Sequence, residues 1–480
     1  MKLNEVPILA QHGFLVETKK VLPKGEGFES EIRGLLEREK MILIVGEQSD
    51  TYCEIEDDGD ILVETFSKGK DPKQKKRSVE IVSRLKPEDG VLDEILRTAI
   101  KMHDAGKSPI ENPELTPRGA VCIRALVDAY VGEKGRAMFV HSVLLSAIKL
   151  VSPTQDVRLH KTRWKGGIDM RSIDRKCVTA WFNSRDMGIR LNPDGLFMTR
   201  TFAENYPYVL VFQADIKGPK TEWLEFIDGL QRGRIQPLAA LQALLYGAYL
   251  RNIAFENICD NVRKIVTQIR DSASPIDIIT EHISMMKNGG SRLLEIAIHS
   301  LMQCAYEASI DIPQLGRMDK PAPLKPMRAP DKKAGDVGDI QFRHSSFVDK
   351  KGNRHIEYAV DAKYGINILD VEIIRLNTHL EDQDTPQPYL TGLDFVGLEK
   401  PSISNQNPVK IAFSKLEHEF DVKIRSLSLA EFSSEINQNG ILDGEWIERY
   451  SSVLMKENKG YGVVTEITTD WLLSLQSMID

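Results

Sequence analysis

The stretch Gly335–Gly365, GDVGDIQFRHSSFVDKKGNRHIEYAVDAKYG, decides the reading of this chain. Its two alternating segments flank Asp349-Lys350-Lys351-Gly352-Asn353, a Gly-containing turn, and the pattern predicts a β-hairpin. Asp339 heads the first strand. Asp361-Ala362-Lys363 closes the second, after the hydrophobic run Ile356-Glu357-Tyr358-Ala359-Val360. Asp361 and Lys363 are two apart and share a face, and Asp339 reaches that face from the partner strand. Two carboxylates and one ammonium then converge. Hard oxygen ligands of this kind suit Mg²⁺. An ammonium beside them can neutralise charge growing on a phosphate or assist an attacking water. A lone D-x-K also arises by chance on solvated strands. Its place after an apolar run, with an aspartate at the head of the partner strand, gives it weight.

Upstream, Gly289-Gly290-Ser291-Arg292-Leu293-Leu294-Glu295 opens an apolar helix expected over 291–307, with Ser291 as its N-cap. Glu295 has two readings: a helical carboxylate facing the metal, or a first-turn charge paired with Arg292 and favoured by the helix dipole.

Asp339 with Asp361-x-Lys363 resembles the PD-(D/E)xK nucleases, the fold of most type II restriction endonucleases. Many of these carry an upstream helical Glu where Glu295 falls. A second stretch, Ser172–Pro207, is similar to the SacI family of type II restriction endonucleases. The likeness lies in its D-x-K-x-V-T segment (Asp174 to Thr179) and in Thr199-Arg200 followed by Tyr206-Pro207. The resemblance spans roughly Asp169 to Lys363. It implies a restriction-endonuclease-like core, a mixed sheet flanked by helices, beside a large, mostly helical N-terminal part. It implies Mg²⁺-dependent cleavage of double-stranded DNA at a short palindrome by a homodimer, within a restriction–modification pair whose methyltransferase acts on the same site. The chain departs from the pattern in two places. Asp361 stands where many of these enzymes have Glu, and Gly338 stands where a proline often precedes the first Asp.

A rival constellation lies inside the same region. Asn192-Pro193-Asp194-Gly195 is followed by Val209-Leu210-Val211-Phe212-Gln213-Ala214-Asp215-Ile216-Lys217, a literal P-D and D-x-K, and Gln242 with Tyr246 fits Q-x-x-x-Y. With His141 as a metal-binding histidine, this is similar to RecB-like exonucleases and repair nucleases, with Asp194, Asp215 and Lys217 catalytic. The plainer readings are a turn at Asp194-Gly195, a satisfied core histidine at His141 and a packing tyrosine at Tyr246. A nuclease fold that binds DNA without cutting is a third possibility, and the intact Asp/Asp/Lys set argues against it.

The chain has 480 residues, 28% of them charged and 41% hydrophobic, with net charge −7. That is ordinary globular composition, and no run approaches the ~20 apolar residues of a membrane helix. Five scattered cysteines without a C-x-x-C speak against zinc or iron–sulfur sites and for a reducing cytoplasm. An acidic chain that grips DNA needs local basic surface. Gly316–Lys333 offers Lys325, Arg328, Lys332 and Lys333 in a proline-rich, extended segment next to the hairpin, a candidate phosphate-gripping loop. Lys68–Arg77, KGKDPKQKKR, is the other basic stretch, and a solvated linker is its plainer reading.

Three regions are expected. Residues 1–90 form a small α+β module, with a helix over Glu29–Lys40 and strands at Met41–Val45, Tyr52–Glu56 and Ile61–Phe66. Residues 91–279 are mainly helical, with helices near Leu92–Ala105, Ala120–Tyr130, Arg136–Leu150 and Pro237–Arg251. Residues 280–480 carry the nuclease core, with a helix near Ile368–Leu380, a strand at Val409–Phe413 and a last helix over Thr469–Met478.

Overall fold

The computed structural model describes the chain apart from residues 1–5, 11–12, 20–25, 131–134, 186, 188–190, 192–205, 213–215, 271–273, 287–288, 312–319, 325–336, 349–353, 366, 369–373, 375–389, 404, 456–467 and 480. It is a mixed α/β structure of two compact units, Met1–Ala254 and Phe255–Asp480. Among the described residues no helix is long and apolar enough to cross a membrane.

The first unit opens with five strands: β1 Val6–Ala10, β2 Gly13–Lys19, β3 Met41–Val45, β4 Ser49–Ile55 and β5 Ile61–Ser67. They form one antiparallel sheet in the order β2-β1-β3-β4-β5. Strand alternation gives it two apolar faces. Ile8, Ile42, Ile44 and Cys53 meet Ile32, Leu35 and Leu36 of the helix Glu26–Glu39. Leu9, Leu43, Tyr52 and Phe66 meet Leu159, Trp164, Val209 and Val211. The other named elements of this unit are helices, centred on Arg136–Val151, whose residues from Met138 to Ile148 are all buried. A helix apolar on every side belongs in the middle of a bundle. The helices Pro117–Asp128 and Lys220–Gln231 pack with it in one core. The helix expected to end at Arg251 runs on as Pro237–Ile269.

The second unit contributes β6 Ile340–Val348, β7 Arg354–Lys363, β8 Asn367–Ile368, β9 Gly392–Gly397, β10 Ser402–Ile403 and β11 Lys423–Ser428. Four of them make a mixed sheet in the order β11-β9-β7-β6, and β8 pairs separately with β10. β6 runs antiparallel to β7, whereas β7, β9 and β11 are parallel. On one face Ile340, Phe342, Tyr358, Val360, Val396 and Leu427 share a core with Leu293, Leu294 and Ile298 of the helix Gly290–Glu307. On the other, Ala359, Leu393 and Phe395 pack on Val409, Ala412 and Leu416 of the helix Asn407–His418.

That second helix corrects the strand expected at Val409–Phe413. Val-Lys-Ile-Ala-Phe alternates like a strand, but Pro408 sits in the first turn, where its missing N–H costs nothing, and the buried positions 409, 412 and 416 keep helical spacing. Ser291 is likewise not the N-cap. The helix starts at Gly290, with Gly289 at φ +97° as its cap. The helix expected over Ile368–Leu380 falls mostly outside the described residues, and Ile368 itself ends β8.

Two buried polar clusters in this unit are paired. Asp394, wholly buried in β9, accepts from the Tyr358 hydroxyl and from Arg425 Nε (2.9 Å) and Nη2 (2.6 Å). Arg425 also reaches Glu435 (2.8 Å). His282 lies between the Tyr450 hydroxyl (2.8 Å) and the Trp471 carbonyl (2.9 Å). The five cysteines are all buried free thiols. Burial pushes Cys53 and Cys304 up to about 11 and Cys122 and Cys177 up to about 12.

Removing the Arg425 guanidinium leaves a carboxylate in the core without its cation. Arg425→Met is expected to destabilise the second unit by about 3–5 kcal/mol, read as a lowered midpoint in chemical denaturation. Burial also lowers the His282 pKa to about 4, against the pull of the Trp471 carbonyl. The unfolded chain therefore binds this proton first, near pH 6.5. Stability from His282 is complete above that pH and is lost as pH falls from about 6.5 towards 4, by about 3 kcal/mol in all. Melting temperature measured between pH 7.5 and 4.5 should fall less steeply in His282→Gln than in the unsubstituted protein.

Candidate functional site

The three residues singled out in the hairpin meet at one edge of the mixed sheet. The antiparallel register ends with Ile340 paired to Val360, and Asp339 stands one step before it. The backbone locks this step. Asp339 N–H donates to the Val360 carbonyl (3.0 Å), and Asp339 Oδ2 accepts from the Ala362 N–H (2.9 Å). Its carboxylate thus rests on the peptide between Asp361 and Lys363. Lys363 Nζ is 3.0 Å from Asp361 Oδ1, and both side chains are 13% exposed, whereas Asp339 is open to water.

Neighbouring strands shape the floor. Parallel pairing sets Asp361 beside Phe395 and Lys363 beside Gly397. The Lys363 ammonium lies 6.0 Å from the centre of the buried Phe395 ring, within cation–π range. A Cβ on Gly397 would come within 2.9 Å of the Lys363 carbonyl and 2.4 Å of the Glu399 carbonyl, so glycine lets the backbone turn close to the lysine. Lys363, Gly397 and Ser428 end β7, β9 and β11 at the same edge. The carboxyl edge of parallel strands is the usual ligand position in open α/β sheets.

Alternation separates this group from Glu295. Asp339, Asp361 and Lys363 point to the face of Phe395, while the helix Gly290–Glu307 covers the face of Tyr358 and Val360. At its start, a Cβ on Gly290 would strike the Tyr364 ring, 2.3 Å away. Glu295 sits on that helix, 20% exposed, and accepts from the Arg292 guanidinium. The ion pair read from the sequence is present.

The departure at Gly338 has a local cause. Its φ is +70°, and a Cβ there would sit 2.8 Å from the Val360 carbonyl oxygen. Proline, with φ held near −65°, cannot adopt this turn. The turn delivers Asp339 to the head of β6, with Gln341 Nε2 reaching back to the Gly338 carbonyl (3.4 Å). Gln341 is buried and was not singled out in the sequence. Its spacing of two from Asp339 puts it on the same face.

The basic segment is described only over residues 320–324. There Ala322 N–H donates to the Gln341 carbonyl (2.8 Å), and His299 Nε2 holds the Ala322 carbonyl (3.0 Å). Lys325, Arg328, Lys332 and Lys333 lie outside the described residues, as do Asp194 and Asp215 of the rival constellation. Lys217 is exposed ahead of the helix Lys220–Gln231. His141 is fully buried, accepts from Trp223 Nε1 (3.1 Å) and is pushed far below its ordinary pKa by burial. Tyr246 packs against His103 and Tyr249. Asp174 of the D-x-K-x-V-T segment is buried and accepts from Thr179 Oγ1 (2.9 Å), a helix-junction role.

Among the described residues no group of three or more His, Cys, Asp or Glu is arranged to hold a metal. The donor set at the hairpin is two carboxylates. It suits a hard cation that keeps most of its ligands as water, which is the habit of Mg²⁺. Comparisons of the chain with models of protein families and with curated proteins yield no match.

The turn at residue 338 offers a direct check on the geometry. Gly338→Ala places a methyl against the Val360 carbonyl in a left-handed backbone. It should cost on the order of 1–3 kcal/mol, measured by denaturation, and should displace Asp339 more than it disturbs the apolar core.

Proposed function

We propose that this chain is a site-specific endonuclease that hydrolyses phosphodiester bonds of double-stranded DNA, with its active site at Asp339, Asp361 and Lys363. One observation carries the reading. Asp339 is bonded to the residues on both sides of Asp361, Val360 and Ala362, with the Lys363 ammonium 3.0 Å from Asp361 at the open carboxyl edge of the parallel strands. A charged hairpin with no role would have no need to gather these groups at a sheet edge over an aromatic floor.

Asp339 and Asp361 would hold Mg²⁺. When bound, the ion supplies Lewis acidity towards a phosphate oxygen and a coordinated water of lowered pKa. The chain's own groups do the rest. Ala362 N–H and the Gly338 turn fix the Asp339 carboxylate. Asp361 and the Phe395 ring hold the Lys363 ammonium in place. From there Lys363 can neutralise charge that grows on the scissile phosphate, which stabilises the transition state more than the bound substrate. The mixed sheet, covered by helices on both faces, is compatible with a restriction-endonuclease-like core, and the SacI-family reading is part of this proposal. One such site cuts one strand, so cleavage of both strands of a palindrome calls for two chains related by a two-fold axis.

Digesting a plasmid with purified protein and Mg²⁺ tests the reading, discrete bands being expected. Lys363→Ala should lower cleavage by at least 10²-fold with duplex binding retained, whereas Lys217→Ala should stay within a few-fold. A dead Lys217→Ala beside an active Lys363→Ala would move the active site to the rival constellation.

A further inference from the structure

The stretch Lys68–Arg77 is a fixed surface, not a linker, and it has a second basic loop beside it. Gly69 N–H donates to the Arg163 carbonyl (2.8 Å), and Lys165 N–H donates to the Ser67 carbonyl (2.9 Å). These bonds pair Lys68 with Trp164 across an antiparallel bridge. The loop His160-Lys161-Thr162-Arg163-Trp164-Lys165 is thereby laid against Ser67-Lys68-Gly69-Lys70. Asp71 fastens the two from below, accepting from the Lys73 N–H (2.9 Å), the Gly166 N–H (3.2 Å) and Arg77 Nη2 (2.5 Å). Gln74 Nε2 adds a bond to the Gly167 carbonyl (2.9 Å). Trp164 is wholly buried in the core under the sheet and anchors the loop from inside.

The cations fall into three sets. Lys68 is neutralised by the buried Asp50 (2.6 Å) and Arg77 by Asp71. Lys161 is half-buried. The other six face water: Lys70, Lys73, Lys75, Lys76, Arg163 and Lys165 are exposed. Among the described residues Glu80 is the one carboxylate within 4 Å of any of them, 3.9 Å from Lys76 on the helix Gln74–Leu85, while Arg163 also lies over the Trp164 ring (5.2 Å) and is attracted by the buried Asp50. Six exposed cations on a rigid platform stand out in a chain of net charge −7. Like charges held this close repel, so the arrangement weakens the free protein slightly and favours a polyanion.

We infer that this platform binds the phosphate backbone of double-stranded DNA, as a second DNA-binding surface remote in sequence from the hairpin. The inference rests on the nuclease reading for the identity of the polyanion. Duplex backbone fits better than single strands because the patch presents no exposed ring for bases to stack on, Trp164 being buried. Backbone binding of this kind adds affinity without reading sequence.

The test compares full-length Lys363→Ala protein with the same protein also carrying Lys70→Ala, Lys73→Ala, Lys75→Ala, Lys76→Ala, Arg163→Ala and Lys165→Ala. All six side chains are exposed, and an unchanged thermal melt verifies the fold. Binding is measured on a duplex of about four helical turns, from low to moderate KCl, where the counterion effect is steep. The slope of log K against log salt should fall by roughly 0.9 for each phosphate that the protein no longer neutralises, with affinity down at least 10-fold at physiological salt. Plasmid cleavage by protein with Lys363 intact is followed in parallel. Discrete cutting with a salt slope unchanged by the six substitutions overturns the platform and leaves the nuclease reading standing. A slope that depends on the six residues, without cutting under any metal, supports the platform and overturns the nuclease reading. Binding to phosphatidylserine vesicles but not to duplex overturns the assignment of DNA as partner.

Discussion

A carboxylate without exposed surface sits in the central strand of the mixed sheet, and the second unit is organised around it. A carboxylate buried there calls for a cation and donors at close range, and Arg425 and Tyr358 supply them from the two strands on either side. The triplet spans β7, β9 and β11, so it fixes neighbours and register together. Sliding β9 by one residue would turn Asp394 into the apolar layer of Leu393 and Phe395. With that slip forbidden, Phe395 must lie beside Asp361 and Gly397 beside Lys363. A polar cluster on one face of the sheet thus sets the geometry of a charged cluster on the other.

β7 serves both faces at once. Tyr358 and Val360 are core, and Asp361 and Lys363 belong to the proposed site, in one run of six residues. The strand passes from buried to open as it reaches the sheet edge, so the charged pair keeps access to water while its backbone stays bonded to β6 and β9. Rigidity behind the site and solvent before it are what the proposed hydrolysis calls for.

The hairpin was legible in the sequence because its information is local: alternation, a turn and a two-residue spacing lie within Gly335–Gly365. The strands β9 and β11 were not. Gly-Leu-Asp-Phe-Val-Gly carries a charge in an apolar run, and Lys-Ile-Arg-Ser-Leu-Ser reads as polar; only the distant pairing of Asp394 with Arg425 makes strands of them. That lone aspartate among apolar residues was the available signal of a buried partner. The helix Asn407–His418 imitated a strand because Val, Ile and Phe alternate where the buried set is Val409, Ala412 and Leu416. The loop around Trp164 left no trace of its companion, since bonds that tie Ser67 and Gly69 to Lys165 and Arg163, far along the chain, follow no sequence pattern. Glu295 shows the converse: its pairing with Arg292 was readable from a spacing of three, whereas the layer it occupies depends on the tertiary fold.

The buried thiols make the protein a reporter of its own motions. Cys53, Cys122 and Cys177 belong to the first unit and Cys259 and Cys304 to the second, every one enclosed in a core. A maleimide in the surrounding water reacts with thiolate; burial hides all five sulfurs, and at Cys53, Cys122, Cys177 and Cys304 it also suppresses ionisation. Labelling therefore proceeds through opened molecules, at rates set by the free energy of each local opening. Mass spectrometry of the tagged peptides would rank the stability of the two cores separately within one intact chain, without adding a probe.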